Sequence, residues 1–323
     1  MNRCTGTDKP LISILMAVYE PRMDWLKEQL LSLNAQTYPN LKLYVRDDCS
    51  TAVPYEEIKA CVRECIHAFP YEIQRNEENL GSNKTFERLT QEAEGEYFAC
   101  CDQDDVWQPE KLLKLEELLS TSDGNLICSD VMVIDGTGDV SARSITELRP
   151  RHVFLQGRDL AATLIYRNFV IGCTMLIRER CAKAALPFAE HMVHDHYLAF
   201  CCSMEGAILV CPECLVKYRI HGNNQTGVLA RVIDRESYVA YHILPFAKRI
   251  EELQQRFELG ELERSALWAQ ARIENARREP NSRVKLWKLR NINRTTTLFE
   301  LVALRFPKPL FQIVVRIIRS GKI

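Results

Sequence analysis

From Leu11 to Ile134 the apolar positions alternate between two rhythms, short continuous runs and stripes at helical spacing. Leu11 to Val18 is a near-continuous apolar run ending at Tyr19-Glu20-Pro21, which predicts a strand covered on both faces, as in a parallel sheet. Leu26, Leu30 and Leu33 then recur at helical spacing behind Asp24, which is placed to cap the helix. Pro39-Asn40 punctuates before the strand Leu41 to Val45. That is one β-α-β unit. The alternation continues with a helical stripe (Ile58, Cys61, Val62, Cys65, Ile66, Phe69), a strand Tyr71 to Gln74, a helix face (Phe86, Leu89, Ala93) and a strand Tyr97 to Cys101. A helix Glu110 to Leu119, opened by Pro109, and a strand Leu126 to Ile134 complete it. This order predicts an α/β fold on a doubly wound, mostly parallel central sheet.

From about Leu160 to Tyr218 the pattern is mixed, with candidate strands Cys173 to Ile177 and Ala207 to Val210 around a helix starting near Asp195. A small antiparallel extension is expected. Beyond Gly227 strand signals stop, so the expected organisation is a main domain over 1–228 and a helical region over 229–323. The last helix is rich in Ile and Val, and from Arg305 onward there are five basic residues and no acidic one. That suits either a helix lying on a membrane surface or one packed on the main domain with solvated cations.

Composition narrows the classes. With 323 residues, 46% of them hydrophobic, the chain can bury a large core. Lys plus Arg total 42 against 43 Asp plus Glu, so no global field marks a nucleic-acid binder. The first ten residues lack the apolar core of a secretory signal and no apolar run is long enough to span a bilayer, which reads as a cytoplasmic protein, able to sit peripherally on the membrane. Thirteen cysteines, scattered through strand and helix patterns, fit reduced core side chains. Cys211-Pro-Glu-Cys214 has knuckle spacing without the second pair that structural zinc needs.

In an open α/β sheet ligands gather at the carboxyl ends of strands. Three predicted strands end in polar residues: Ala17-Val18-Tyr19-Glu20, Arg46-Asp47-Asp48-Cys49-Ser50-Thr51 and Asp102-Gln103-Asp104-Asp105. No Gly-x-Gly-x-x-Gly or Gly-Lys-Ser/Thr loop offers a backbone cradle for phosphate. Three carboxylates within four residues offer hard oxygen ligands for Mg²⁺ or Mn²⁺, which take one or two protein carboxylates together with substrate phosphate oxygens; alone they could equally cap the helix behind Pro109. Asp48 suits turn chemistry or the N3–H of uracil or thymine, and Tyr19 offers a face for base stacking.

These segments in this order, with Asn79-Leu80-Gly81 and Gly95-Glu96-Tyr97 leading into Asp102-Gln103-Asp104-Asp105-Val106-Trp107-x-Pro109-x-Lys111-Leu112, resemble family 2 glycosyltransferases of the GT-A fold, most of all their bacterial rhamnosyltransferase-type branch. The resemblance spans roughly Leu11 to Gly227. It implies that Ala17, Tyr19, Asp48, Asp102 and Asp104 bind the nucleotide, and that Asp104, helped by Asp102 and His221, holds a divalent cation, with Asp105 structural. Asp195, in His194-Asp195-His196, matches the family's catalytic carboxylate, although His194 departs from the acidic residue usual before it. Gly172 lies on a segment matching the acceptor side. Arg219, on a segment Tyr218 to Gly227 that resembles the polar loop closing the donor site, pairs with phosphate or with a core carboxylate. The implied activity is inverting, metal-dependent transfer of a sugar, rhamnose if the branch holds, from a dTDP- or UDP-sugar to a glycan or lipid-linked acceptor in cell-surface polysaccharide synthesis. A sugar-nucleotide nucleotidyltransferase and a non-catalytic scaffold are the rival readings. The first would carry a Gly-rich basic loop after the first strand, where Tyr19-Glu20-Pro21-Arg22 stands instead.

Overall fold

The continuous apolar runs form strands buried from both sides. In the computed structural model, which describes residues 9–222, 229 and 231–319, β1 (Ile12–Val18), β2 (Leu41–Asp47), β3 (Tyr71–Arg75) and β4 (Tyr97–Cys101) pair in parallel in the order β3-β2-β1-β4. Helices α1 (Met23–Asn34), α2 (Tyr55–Cys65) and α3 (Gly81–Glu92) connect them. Their stripes, Leu26, Leu30 and Leu33 on α1 and Ile58, Val62 and Cys65 on α2, close over Ile12, Ile14, Met16 and Leu43 in one core. At about 25 cal/mol per Å² of apolar surface, this burial is what fixes short helices that would be marginal alone.

The chain continues through β5 (Val106–Trp107), α4 (Lys111–Ser120), β6 (Gly124–Ile134), β7 (Val140–Ala142), the short helices α5 (Ile145–Leu148) and α6 (Ala161–Leu164), β8 (Leu176–Arg178), α7 (Glu179–Ala184), α8 (His194–Glu205) and β9 (Ala207–Arg219). β8 enters antiparallel between β4 and β6, and β9 runs parallel to β6 and antiparallel to β5. The sheet is mixed, with the parallel pairs carrying most of its register, as expected from the alternation. The twelve described cysteines are all free thiols, ten of them buried.

Three local expectations are corrected. Asp24 lies inside the first turn of α1 rather than at its N-cap, which is Arg22, and its carboxylate pairs with that arginine. The strand expected over Cys173 to Ile177 begins only at Leu176. Gly172–Thr174 is a 3₁₀ turn, because its backbone groups are engaged elsewhere: the Gly172 N–H by Asp195, the Cys173 carbonyl by Lys111, and Thr174 N–H and Oγ1 by the Ile171 carbonyl. Arg219, expected in a loop, is the last residue of β9.

The chain divides into two compact units, Met1–Phe188 with Val193–His221, and Ala189–Met192 with Gly222–Ile323. The second is helical: α9 (Arg235–Tyr238), a π-helical turn Val239–Ile243, α10 (Leu244–Gln254), α11 (Gly260–Ala276), α12 (Ser282–Lys288), α13 (Arg294–Ala303) and α14 (Lys308–Arg319). The π turn lies just ahead of Pro245, which has no N–H and crowds the carbonyl four residues back. At the unit's centre Glu300, fully buried, accepts from Arg272 Nη2 at 2.6 Å and from Tyr238 Oη at 2.9 Å, while Arg272 stacks 4.4 Å over Trp268. No helix is long and apolar enough to cross a membrane among the described residues.

Candidate active site

Parallel register brings three strand ends to one edge. Val18 lies opposite Asp47 and Met16 opposite Cys101, and the Asp48 N–H donates to the Val18 carbonyl at 2.7 Å. The residues that follow, Tyr19, Asp48 and Asp102, therefore emerge side by side at the carboxyl ends of β1, β2 and β4, where an open sheet receives ligands.

The β1 end is fixed by Gln103. Its amide accepts from the Tyr19 N–H at 2.8 Å and donates to the Tyr19 carbonyl at 3.0 Å. The backbone is thus clamped to the acidic turn while the Tyr19 ring stands 48% exposed, and Ala17 is partly exposed below it. Asp48, at 3% exposure, accepts on Oδ1 from Asn76 Nδ2 (2.7 Å) and the Leu80 N–H (2.9 Å), and on Oδ2 from the Gly81 N–H (2.8 Å). This explains the Asn79-Leu80-Gly81 motif: the loop opening α3 is tied to the β2 end, and Gly81 sits at φ +79°, which costs glycine little.

The β4 end is crowded with charge. Asp104 Oδ2 meets His221 Nε2 at 2.6 Å. Asp105 is fully buried and accepts the Arg219 backbone N–H at 2.9 Å. Burial, with the charge of Asp104 beside it, pushes Asp105 up to about 7. Burial raises Asp102 well above the usual carboxylate range, and repulsion from Asp105, Asp104 and Asp195 adds to it. Lys111 is the buried counter-charge: its ammonium donates to the Cys173 carbonyl at 2.7 Å, lies 2.9 Å from the Trp107 ring centre, and is pushed down to about 7 by desolvation. Ligand atoms of Asp102, Asp105 and Cys173 lie within 4.8 Å of one another. Carboxylates whose charged forms are disfavoured by one another gain from a cation, and Asp102 and Asp105 offer the oxygen ligands that Mg²⁺ or Mn²⁺ prefers, while the Cys173 thiol is a softer donor; the expected ligands Asp104 and His221 pair with each other and are not part of this group.

Asp195 approaches from the other side. It lies in the first turn of α8, whose N-cap is Val193. Its Oδ1 accepts from the His196 N–H (2.5 Å) and Asn168 Nδ2 (3.2 Å), and Oδ2 from the Gly172 N–H (3.1 Å). Burial outweighs these donors and lifts it to about 6. A Cβ on Gly172 would meet His194 Nε2 at 3.2 Å and the Asp195 side chain at 3.4 Å, so the glycine sets how closely the loop approaches. His194, 6% exposed, stacks on Phe86 with ring centres 4.0 Å apart, and burial pushes it down to about 3, which keeps it neutral. Arg219, 1% exposed, is held by the Asp104 carbonyl (2.8 Å), the Asp135 carbonyl (3.2 Å) and Glu28 Oε2 (2.5 Å), a carboxylate at the surface rather than in the core. Of the polar loop reaching Gly227, residues 223–227 lie outside the described residues.

Sequence reasoning missed four contributors. Gln103 stood inside the acidic motif, but its role as a clamp depends on where β1 ends. Lys111 sits in an amphipathic helix pattern and reads as solvated; its spacing of four from Trp107 was the available signal. Asn76 and Asn168 carry no local signal, since each acts only through a contact distant in sequence.

Comparison with known proteins accords with this geometry. The family described as Glycosyl transferase family 2 matches residues 13–183. An uncharacterized glycosyltransferase of Methanocaldococcus jannaschii is 25% identical over 72% of this chain and 78% of its own length. A putative teichuronic acid biosynthesis glycosyltransferase, TuaG of Bacillus subtilis, is 28% identical over 55% of this chain and 67% of its own. Among solved structures, S. aureus TarS 1–349 in complex with UDP-GlcNAc superposes with a TM-score of 0.58 at 15% identity, covering 96% of this chain and 92% of that one. A mannosyltransferase from Pyrobaculum calidifontis, in complex with GDP-Man and Mn²⁺, does so at 0.56 and 13% identity, covering 98% and 87%. These two likenesses show the GT-A architecture of the fold.

Proposed function

Because the chain belongs to glycosyl transferase family 2, we propose that it is an inverting glycosyltransferase that moves a sugar from a nucleoside diphosphate to a hydroxyl of a glycan or lipid-linked acceptor in cell-surface polysaccharide synthesis. The observation that carries this reading is that one turn joins the two carboxylate sites: the Gly172 N–H donates to Asp195 Oδ2, and the Sγ of the next residue, Cys173, lies within 4.8 Å of the ligand atoms of Asp102 and Asp105. In the proposed reaction the base of the donor lies against Tyr19 and Ala17 near Asp48. Asp104, with Asp102 and His221, would hold Mn²⁺ or Mg²⁺, which would supply positive charge to the departing diphosphate. Asp195 takes the proton of the acceptor hydroxyl, whose oxygen attacks the anomeric carbon opposite the leaving group; that bond forms as the sugar–phosphate bond breaks, and configuration inverts. Gly172 lines the acceptor side, and Arg219 holds β9 against the acidic turn.

A uracil or thymine nucleotide, and rhamnose as the sugar, follow from the sequence resemblance. A scaffold would gain nothing from buried, mutually repelling carboxylates, and a nucleotidyltransferase would place a basic glycine loop where Glu20 instead caps the turn at Thr51 to Val53. The test is a panel of dTDP-, UDP- and GDP-sugars with Mn²⁺, scored by release of nucleoside diphosphate. Selective release from one donor, abolished by chelation, is expected. Release from none, or release indifferent to chelator, overturns the proposal.

A further inference from the structure

The end of the chain is charged on one side of the ledger only. Between Asn281 and Ile323 there are ten basic residues and one acidic, Glu300. Glu300 is fully buried against Arg272, so it neutralises nothing on the surface. Asp234 and Glu274, from earlier helices, pair with Lys308 and Lys285. Among the described residues, Arg283, Lys288, Arg294 and Arg316 form no ion pair.

The same three helices expose large apolar side chains at helical spacing: Val284 and Trp287 on α12, Leu298 and Val302 on α13, Leu310, Ile313 and Ile317 on α14. On α14 the packing need is met by Phe311 and Val315, which are buried in the unit's core. Leu310, Ile313 and Ile317 lie on a neighbouring arc, with Ile313 51% exposed, so the apolar arc is wider than packing uses. Trp287, 48% exposed, carries the Arg290 guanidinium 4.5 Å over its ring, a pairing suited to an interface that is apolar on one side and wet on the other.

We infer that α12, α13 and α14 form a docking surface for an anionic lipid bilayer, with the apolar side chains entering the headgroup boundary and the unpaired cations meeting lipid phosphates. Charge complementarity selects this occupant. A second copy of the chain would set like charges against each other across a symmetric face. A nucleic acid would use the cations and leave the seven apolar side chains wet. A bilayer takes both. The inference deepens the proposed reaction by placing a lipid-linked acceptor and the enzyme at the same surface.

The test is flotation of the purified full chain with phosphatidylcholine vesicles, with and without phosphatidylglycerol. Flotation with anionic vesicles only, weakened by high salt, is expected. Arg283→Glu/Lys288→Glu/Arg294→Glu lowers binding about fivefold or more for each charge, and Ile313→Glu/Ile317→Glu abolishes it; Ile313→Ser serves should the double variant not melt like the parent. Equal flotation with neutral vesicles, no flotation, or variants that bind like the parent overturns the inference. So does a dimer in light scattering that the Ile313 variants dissolve, or retention of an oligonucleotide that they leave intact. Vesicle binding is read without donor or acceptor, while donor turnover in vesicle-free solution is read beside it. Each reading can therefore fail while the other stands.

Discussion

Replacing Asp195 by Asn separates catalysis from stability, because the two effects have opposite sign. The fold holds the Asp195 carboxyl near 6, against 3.8 ordinarily. A folded value above the unfolded one means the native state favours the protonated form. The cost is absent below about pH 4, grows as pH rises to about 6, and is complete above that, reaching ~3 kcal/mol. Asparagine is neutral throughout, but its single carbonyl oxygen cannot accept from both sides, so at least one N–H, that of Gly172 or those of His196 and Asn168, loses its partner at a cost of about 1–3 kcal/mol. Chelated Asp195→Asn protein is expected to melt below the parent near pH 4, by that hydrogen-bond cost, and to equal or exceed its stability at pH 8. Transfer falls by about 10²–10⁴, the usual contribution of a general base, while calorimetric binding of the nucleoside diphosphate persists. In the parent, kcat/KM falls tenfold per pH unit below about 6, since the base must be unprotonated; in the variant that limb disappears. Transfer within tenfold of the parent, or an unchanged acid limb, refutes the assignment.

Three further outcomes follow from the same contacts. Asp104→Ala and His221→Ala, which break the 2.6 Å pair, are expected to weaken Mn²⁺-dependent nucleotide binding about 10–100-fold; calorimetry that shows unchanged metal dependence counts against the cation site. Gly172→Ala places a methyl 3.2 Å from His194 Nε2 and costs about 1–3 kcal/mol by overpacking, visible as a lower Tm and reduced kcat together; an alanine variant with parental melting and turnover shows that the loop has room. Glu300→Ala leaves the buried Arg272 guanidinium unpaired and is expected to destabilise by about 3–5 kcal/mol in thermal unfolding, whereas a loss below 1 kcal/mol means that water reaches the pair.

The central sheet was legible because fully buried strands leave continuous apolar runs and their covering helices leave stripes. Tyr97 to Cys101 is bounded as its sequence suggests, since glycine and acid mark its ends. Legibility failed where side chains from elsewhere take the backbone's hydrogen bonds. Gly172–Thr174 has strand composition, yet Asp195 and Lys111 hold it as a turn. Asp24 looks like a cap because capping residues and first-turn residues are chemically alike, and only Arg22 decides between them. The acidic motif announced itself by composition. The groups that tune it did not, because Lys111 and Asn168 are ordinary surface residue types whose burial is settled by tertiary packing.

The tuning groups show what the acidic motif needs in order to work. Three carboxylates on one turn would be an ordinary solvated cap if water reached them. Here Trp107 and the Cys173 turn are buried on one side, and Lys111 is the buried positive charge against Asp102 and Asp105, while the buried Arg219 guanidinium is turned to the Asp104 and Asp135 carbonyls and to Glu28. Carboxylates that outnumber their cation raise one another's proton affinity and, equally, affinity for a divalent ion. The same argument assigns different work to neighbours. Asp105, buried and bonded to the backbone of Arg219, shapes the turn. Asp104, part-exposed and paired to His221, is the member we propose for the metal, with His221 beside it. Asp102, whose charged form is disfavoured by burial and by Asp105, Asp104 and Asp195, is a member whose own proton affinity a bound cation would lower.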